Sequence, residues 1–200
     1  MAIPTFYKAV DSHTDGSKGA QIDSLQENAV LPEITSQMRI QGATQLGKFY
    51  IQMDSDTSAF IGLENKGMFD ARLMLSNSDS EIDDDIESDR KRFRSVIILS
   101  NTTNQVVINE SDNSDFAIDD YISIGGYIVK ITAINTNNGR TTFDFTPSIP
   151  NTDFSGTYVS NLIKKDFIGG NAEPFWVENV IQPGHPADEA KNVIPLIIQS

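Results

Sequence analysis

Two histidines are the residues of this 200-residue chain best suited to moving protons, and each lies near carboxylates. His13 stands in "VDSHTDG", beside Asp11 and Asp15, and His185 stands in "QPGHPAD". A histidine between carboxylates is the kind of set that general-base hydrolysis uses. Catalysis requires such groups to aim at one reacting atom, which neighbours in an extended segment seldom do. We expect a turn at His13, a loop at His185 and no enzymatic activity.

Two acidic stretches, "DDDIESD" and "NESDNSD", could offer Ca²⁺ the oxygen ligands that it prefers. Neither has EF-hand spacing, because the glycine at the sharp turn of that loop is missing. A solvated, charged loop is the favoured interpretation of both. We therefore expect no metal and no cofactor, while calcium binding by these loops stays open as an alternative.

The glycine pair in "YISIGGYIVKI" raises the question of a phosphate-binding loop. The chain contains neither GxGxxG nor GxxxxGKS nor GxxxxGKT, and no predicted helix follows Gly126 to present its N-terminus to a phosphate. Paired glycines between two β-branched runs are typical of a hairpin turn. We predict a turn at Gly125-Gly126, between strands 121–124 and 127–134, and the next reversal at Asn138-Gly139.

Aromatic residues suggest a second binding chemistry, stacking against a sugar. The candidates for such a platform are Tyr127, Tyr158, Phe175 and Trp176. Aromatic residues in strands more often belong to the core or to cross-strand pairs. Phe175 and Trp176 are consecutive, so in a strand they face opposite sides, and one of them must contact a second layer or a neighbouring subunit. Both are candidate interface residues.

Charge and composition limit the possible functions. The chain has 28 acidic and 15 basic residues, a formal charge of -13, and no cysteine, which excludes disulfides, thiolate zinc sites and cysteine nucleophiles. This charge argues against specific nucleic-acid binding. No secretory signal and no apolar run of about 18 residues occurs, so a soluble protein with no membrane contact is expected. Much of the surplus lies in one run, Asp79, Glu81, Asp83, Asp84, Asp85, Glu87 and Asp89.

Apolar residues that recur at every second position predict strands along most of the chain. In "GKFYIQM" the residues Phe49, Ile51 and Met53 share one face, with Tyr50 and Gln52 opposite, and "MFDARLMLS" repeats the pattern. Compact strands separated by turn residues follow in "SVIILS", "QVVIN", "YISI", "YIVKITAI", "TTFDFTP" and "TYVSNLI". "EPFWVENVIQPG" and "NVIPLIIQS" complete the set, and Pro195 suggests an edge strand. The pattern predicts an all-β protein.

The arrangement of these strands favours a β-sandwich that contains an inserted small β-barrel or meander. We assign residues 1–92 and 166–200 to the sandwich and residues 93–165 to the insertion, with charged junctions on both sides. Residues 1–47 are polar and aperiodic, and we interpret them as an extended arm with short strands. Gly169-Gly170 marks a link back to another layer. A single elongated β domain is the rival interpretation.

The ends of the chain resemble a group of tailed-bacteriophage virion proteins. The resemblance lies in "FYKAVDSHTDGSKGAQIDS", "GKFYIQMDSDTSAFIGLENKGMF" and "EPFWVENVIQPGHPADEAKNVIPLIIQS". Those proteins begin with a Gly-rich "GGAI" arm, have a "YIKN"-like strand, and end in an apolar-Trp-aliphatic strand, a Pro/Gly turn and a final strand. Gly19-Ala20-Gln21-Ile22 stands where "GGAI" would, and Phe175-Trp176-Val177 fits the closing strand. Residues 93–165 are not covered, and the Asp run departs from the pattern.

The resemblance implies a non-enzymatic virion structural protein, an oligomeric component of the head-tail neck or collar, or of the tail and baseplate. Its partners would be copies of itself and other virion proteins. A capsid decoration protein is the nearest variant, and a carbohydrate- or calcium-binding module for host-surface attachment is the alternative from another class. Subunit contacts are expected at the N-terminal arm, at the Asp79–Asp89 loop and at Phe175 or Trp176.

The acidic run generates a prediction about passive contact with DNA. If subunits line a DNA channel, Asp83, Asp84 and Asp85 repel phosphate and keep the walls from holding the genome. Replacing all three with Asn should therefore slow genome ejection, measured as the rate of DNA release from purified particles. Ejection at an unchanged rate would count against this role.

Overall fold

The computed structural model describes residues 2–10, 17–22, 30–31, 33–63, 70–75, 93, 95–184 and 196–199. Within them the chain is almost entirely antiparallel β-structure, which confirms the predicted all-β class. The strands are β1 (Pro4–Ala9), β2 (Lys18–Gln21), β3 (Ala43–Met53), β4 (Thr57–Leu63), β5 (Asp70–Leu75), β6 (Ser95–Ile97), β7 (Ser100–Asn101), β8 (Gln105–Asn109), β9 (Tyr121–Ile124), β10 (Tyr127–Asn137), β11 (Arg140–Thr146), β12 (Tyr158–Phe167), β13 (Ala172–Ile181) and β14 (Leu196–Gln199).

Helical structure is limited to short pieces in the described residues. The helix α1 spans Ser36–Gln41 and a 3₁₀ turn spans Glu110–Asp112. None of the described helices is long and apolar enough to cross a membrane.

The first sheet has five strands in the order β2-β1-β3-β13-β5, with every neighbouring pair antiparallel. Its centre is the long pairing of β3 with β13, which runs from Ala43 opposite Ile181 to Gln52 opposite Ala172. β1 lies inside this sheet, between β2 and β3. The segment predicted as an extended arm does contain short strands, but its first strand pairs within its own chain, because β3 offers it an open edge.

The second layer of the sandwich consists of β14, β4 and the C-terminal half of β12, which pairs with β4 from Ile163 to Phe167. Alternate residues of both layers point inward and form one apolar cluster. The buried members of this first cluster are Phe49, Ile51, Met53, Ala59, Ile61, Leu63, Leu73, Phe93, Ile163, Phe167, Phe175 and Val177. The predicted inward face of β3 is therefore confirmed.

The N-terminal half of β12 belongs to a small barrel. Strands β12, β9, β10, β11 and β8 follow one another in the sheet, and the segment from β6 to β7 closes the ring by pairing with β12 at its start and with β8 at its end. Ile98 N donates to Thr157 O at 2.9 Å, and Leu99 N donates to Val107 O at 2.8 Å. A second, separate cluster of apolar residues fills the interior.

The two clusters divide the apolar residues close to the predicted boundaries. Phe93 and Ile163 pack in the first cluster, whereas Val96 and Val159 pack in the second. The assignment of residues 93–165 to an inserted domain stays a prediction, although a core of its own is what an inserted barrel needs. Gly169-Gly170 does connect the two layers, since it joins β12 to β13.

Both predicted turns have the backbone geometry that the sequence indicates. Gly125 and Gly126 have φ values of 56° and 87°, and Asn138 and Gly139 have φ values of 52° and 74°. Positive φ at both central residues is what a two-residue primed hairpin needs. The glycine pair therefore reverses the chain between β9 and β10, and no helix follows it.

The sequence prediction missed α1 and β4. Thr35 begins α1, because its Oγ1 accepts a hydrogen bond from Met38 N at 3.2 Å, and Gly42 ends it with a φ of 79°. These are ordinary helix start and stop residues, so a signal was present in "TSQMRIQG". β4 also had a signal, since Ala59, Ile61 and Leu63 alternate on the core face.

The turn between β9 and β10 offers a matched pair of substitutions. Gly125→Ala and Gly126→Ala both place a Cβ at positive φ, which costs about 1 kcal/mol. A Cβ at Gly125 would overlap Cε1 of the Phe154 ring, whereas a Cβ at Gly126 meets nothing within 4 Å. Overpacking should add about 1–3 kcal/mol to the loss at Gly125 alone. Urea denaturation should show this order, and equal losses would mean that Phe154 moves aside freely.

Candidate functional site

Several residues singled out by the sequence lie outside the described residues. They are His13, His185, the stretch "DDDIESD" and, with it, Asp83, Asp84 and Asp85. The expectations attached to these residues stay predictions.

Phe175 is part of the first apolar cluster. It lies directly opposite Phe49 in the β3-β13 pairing, and the two rings stack with centroids 5.8 Å apart. The Phe167 ring of β12 also stacks on Phe175, with centroids 6.4 Å apart, so Phe175 contacts both layers of the sandwich. Its side chain is completely buried. Phe175 therefore contacts a second layer of its own chain.

Trp176 lies on the opposite face of β13, directly across from Lys48 of β3. Lys48 Nζ is 5.7 Å from the Trp176 ring and 5.4 Å from the Tyr50 ring, and all three side chains are buried. An ammonium group buried in this way is costly, and the negative faces of two aromatic rings offset part of that cost. The Tyr50 face of β3 is therefore buried here as well. The sequence had predicted a strand with only one buried face.

Neither Phe175 nor Trp176 has an exposed ring in the single chain. Both faces of β13 are covered at these positions, with 0 % of Phe175 and 2 % of Trp176 accessible to solvent. A subunit contact through either ring stays a prediction that their buried positions do not favour.

Tyr127 is 45 % exposed and packs edge-on against Phe154 of the barrel. The four aromatic residues therefore do not form one platform for a sugar.

The second acidic stretch, "NESDNSD", forms the 3₁₀ turn Glu110–Asp112 and the residues after it. Among the described residues no group of three or more His, Asp or Glu side chains is arranged to hold a metal ion. Asn113, on this stretch, is bound to the barrel, because its Nδ2 donates to Thr141 Oγ1 at 3.0 Å. The contact ties the turn to β11.

The turn between β3 and β4 joins three segments through carboxylates. Asp54 Oδ1 accepts a hydrogen bond from Ile3 N at 2.9 Å, and Asp54 N donates to Ile3 O at 3.2 Å. Asp56 Oδ1 accepts from Gly169 N at 2.8 Å, which attaches the turn between β12 and β13. Gly170 N adds a bond to Met53 O at 2.8 Å. The start of the chain is thus fixed at one end of the sandwich.

Two exposed isoleucines flank this turn. Ile3 is 65 % exposed and Ile168 is 63 % exposed, although the backbone of Ile3 and the two residues after Ile168 are held by the bonds just described. Single exposed apolar side chains are common on protein surfaces. Here the two lie near Asp54 and Asp56, so the end of the sandwich combines apolar and acidic groups on a fixed backbone.

Sheet edges are the other candidate surfaces, and β2 forms one edge of the first sheet. The register changes between Tyr7 opposite Gln21 and Ala9 opposite Lys18, so β2 has one more residue than β1 over this stretch. Lys18 Nζ lies 4.2 Å from the centre of the Tyr7 ring and 2.8 Å from Gln52 Oε1. Short length, a bulge and a lysine are features that discourage pairing with another strand.

The edge strands β5 and β14 differ from β2 in what lies on their outer side. β5 has an isolated bridge on its outer side, in which Leu73 and Phe93 exchange two backbone hydrogen bonds of 2.8 and 3.0 Å. β14 ends the second sheet and pairs with β4 in unbroken register from Leu196 opposite Leu63 to Gln199 opposite Phe60. Within the described part of the chain no strand pairs with the other side of β14. β14 itself was predicted from the apolar residues of "NVIPLIIQS".

Comparison with known proteins gives no relative of this chain: no family model, no curated protein and no solved structure matches it.

The hydrogen bond between the Asp54 carboxylate and the Ile3 amide should depend on pH. The hydrogen bond from Ile3 N holds the pKa of the Asp54 carboxyl below its usual value of 3.8. The stability that this bond contributes is therefore present above pH 3.8 and is lost as the pH falls through the lower pKa of the folded state. We expect the exchange protection of the Ile3 amide, corrected for the intrinsic rate, to fall over that range.

Asp54→Asn should remove this pH dependence, because its amide oxygen still accepts a bond but does not titrate in this range. Asp56→Asn is the matched control, since Asp56 binds Gly169 N and should leave the Ile3 amide unaffected. Amide exchange followed by NMR measures all three proteins. A protection factor at Ile3 that stays constant in the unmodified protein would contradict the assignment.

Proposed function

We propose that this protein is a non-enzymatic structural component of a tailed-bacteriophage virion, present in several copies in the neck or collar, or in the tail and baseplate. A capsid decoration protein remains the nearest variant. The protein would reside in the virion and contact copies of itself and other virion proteins. Its role would be to hold particle parts together through its β-sheets.

One observation carries the proposal. The three stretches that resemble virion proteins are far apart in sequence, yet they supply neighbouring strands of one sandwich. The first contains most of β1 and all of β2, the second contains most of β3 and all of β4, and the third contains nearly all of β13 and all of β14. Four of these strands adjoin in the order β2-β1-β3-β13, and the other two pair with each other. The resemblance therefore falls on a continuous scaffold, and the segment without resemblance forms most of the barrel.

The surfaces of the sandwich suit a role in assembly. The sandwich has edge strands, a turn between β3 and β4 whose backbone is held by hydrogen bonds, and exposed Ile3 and Ile168 side chains near acidic groups. Symmetric assemblies bury such edges and apolar residues against neighbouring copies. The acidic surface keeps separate copies apart until specific contacts form.

The position of β1 decides how assembly is tested. Deleting residues 1–30 would remove β1 from the interior of the first sheet and expose the edge of β3. Loss of assembly after that deletion would report unfolding as readily as a lost contact. Ile3→Ser and Ile168→Ser change only exposed side chains, so they test surface contacts without removing a strand.

Quantitative mass spectrometry of purified virus particles tests the proposal directly. We expect several copies of the chain per particle, in a fixed ratio to the other structural proteins, because closed symmetric rings contain a set number of subunits. The ratio should survive high-salt washing and nuclease treatment. A cytoplasmic host protein followed in the same samples serves as the control and should be depleted by washing. Depletion of this chain in parallel with that control would refute the proposal.

A further inference from the structure

We propose that the outer edge of β14 pairs antiparallel with β14 of a second copy around a twofold axis, and this inference rests on the assembly role proposed above. Residues directly opposite each other in an antiparallel pair face the same side of the sheet, so the twofold axis must pass through one residue position. We place it at Ile197, which lies opposite Ile197 of the other copy, with Leu196 opposite Ile198 on either side of the axis. The β14-β4-β12 layer would then continue across the axis into the partner's layer. A twofold contact uses the same surface on both subunits, which a strand paired with itself satisfies.

The first support is the regularity of β14. It pairs with β4 at four successive positions without a bulge, so its other side presents backbone N–H and C=O groups in the spacing that a further strand needs. Ile198 is packed against the first apolar cluster, which fixes the strand to the sandwich. An edge that is already straight and anchored loses little freedom when a second strand is added.

The second support is the contrast with the other edges. β2 has a bulge and Lys18, and β5 already exchanges hydrogen bonds with Phe93 on its outer side. Proteins commonly guard edge strands by these means, and β14 has neither a bulge nor a charged residue. Of the edge strands β2, β5 and β14, β14 is therefore the one best suited to pairing.

Charge supplies the third support, because it limits the surfaces at which two copies can meet. Two copies of a chain with a formal charge of -13 repel each other over most of their surfaces. Leu196–Gln199 contains no charged residue, so β14 can approach a second β14 without placing like charges directly opposite each other. Repulsion thus restricts self-association to the few uncharged surfaces.

Gln199 provides a fourth observation at the end of the strand. Its Nε2 donates to Gly126 O of the barrel hairpin at 3.4 Å, while its Oε1 is buried and accepts no hydrogen bond within the described residues. A buried acceptor without a donor is destabilising. A small change of the side chain on pairing would bring this oxygen to a donor of the second copy.

Amide exchange at increasing protein concentration tests the pairing. A contact of three residues on each strand is short, so we expect a weak dimer whose mass by sedimentation velocity rises with concentration. In the monomer the β14 amides that point away from β4 should exchange quickly, and in the dimer they should gain about tenfold protection. The β2 amides serve as an internal control and should not change.

A pair of charge variants adds a second test. Ile197→Lys places like charges close together across the axis and should keep the protein monomeric, whereas Ala20→Lys makes the same charge change on β2 and should leave the dimer intact. Circular dichroism checks that both variants fold. If Ile197→Lys fails to fold, the exchange measurement on the unmodified protein still decides.

Two outcomes would overturn the inference. A dimer whose outward β14 amides stay unprotected would show that copies associate elsewhere, and a monomer at every concentration would show that β14 does not pair with itself. Neither result affects the proposed virion role, which is decided separately by whether the chain is found in washed particles. Dimer formation with β14 protection and its loss in Ile197→Lys would support the inference.

Discussion

Strand β12 is the element on which both halves of the structure depend, because it contributes to two hydrophobic cores. Val159, near its start, packs in the barrel, while Ile163 and Phe167, further along, pack in the sandwich. The strand also changes partners: β9 pairs with residues 159–162 and β4 with residues 163–167. A shift of β12 by one residue would turn every one of these side chains to the wrong face. The register of β12 therefore fixes the sandwich and the barrel together.

Buried polar residues mark the point where β12 passes from one core to the other. Ser160 Oγ lies 2.6 Å from Ser95 Oγ, and the Ser95 hydroxyl also bonds to the carbonyl oxygen of Leu63. Asn161 is fully buried, and its Nδ2 donates to Asp115 O at 2.7 Å. Buried polar groups need such partners, and the bonds are satisfied only in one register. The polar junction thus adds specificity where apolar packing alone would permit sliding.

Local patterns in the sequence predicted the strands and turns, because each depends on neighbouring residues. The faces of β3 follow from the alternation of Phe49, Ile51 and Met53, and the turn at Gly125 follows from its conformational freedom. The burial of Trp176 could not be predicted in this way. It depends on Lys48, which lies more than a hundred residues away in sequence, and on which face of β13 other parts of the chain pack against.

The candidate surfaces were harder to predict than the fold, for the same reason. Nothing near Asp54 in sequence indicates that its carboxylate binds Ile3, because that contact joins the start of the chain to a turn 51 positions later. The contrast between β2 and β14 likewise depends on strand order, since a strand is an edge only by virtue of what lies beside it. The apolar composition of "LIIQ" suggested a strand, but only the topology placed it at the end of a layer.

The acidic surplus bears on the assembly that we propose. A net negative field opposes contact between copies wherever their charged surfaces meet. Association is then favourable only where backbone hydrogen bonds and apolar contacts outweigh repulsion, and this condition is met most easily at strands without charge. A highly acidic chain can therefore stay dispersed in solution and still assemble at a small number of defined edges.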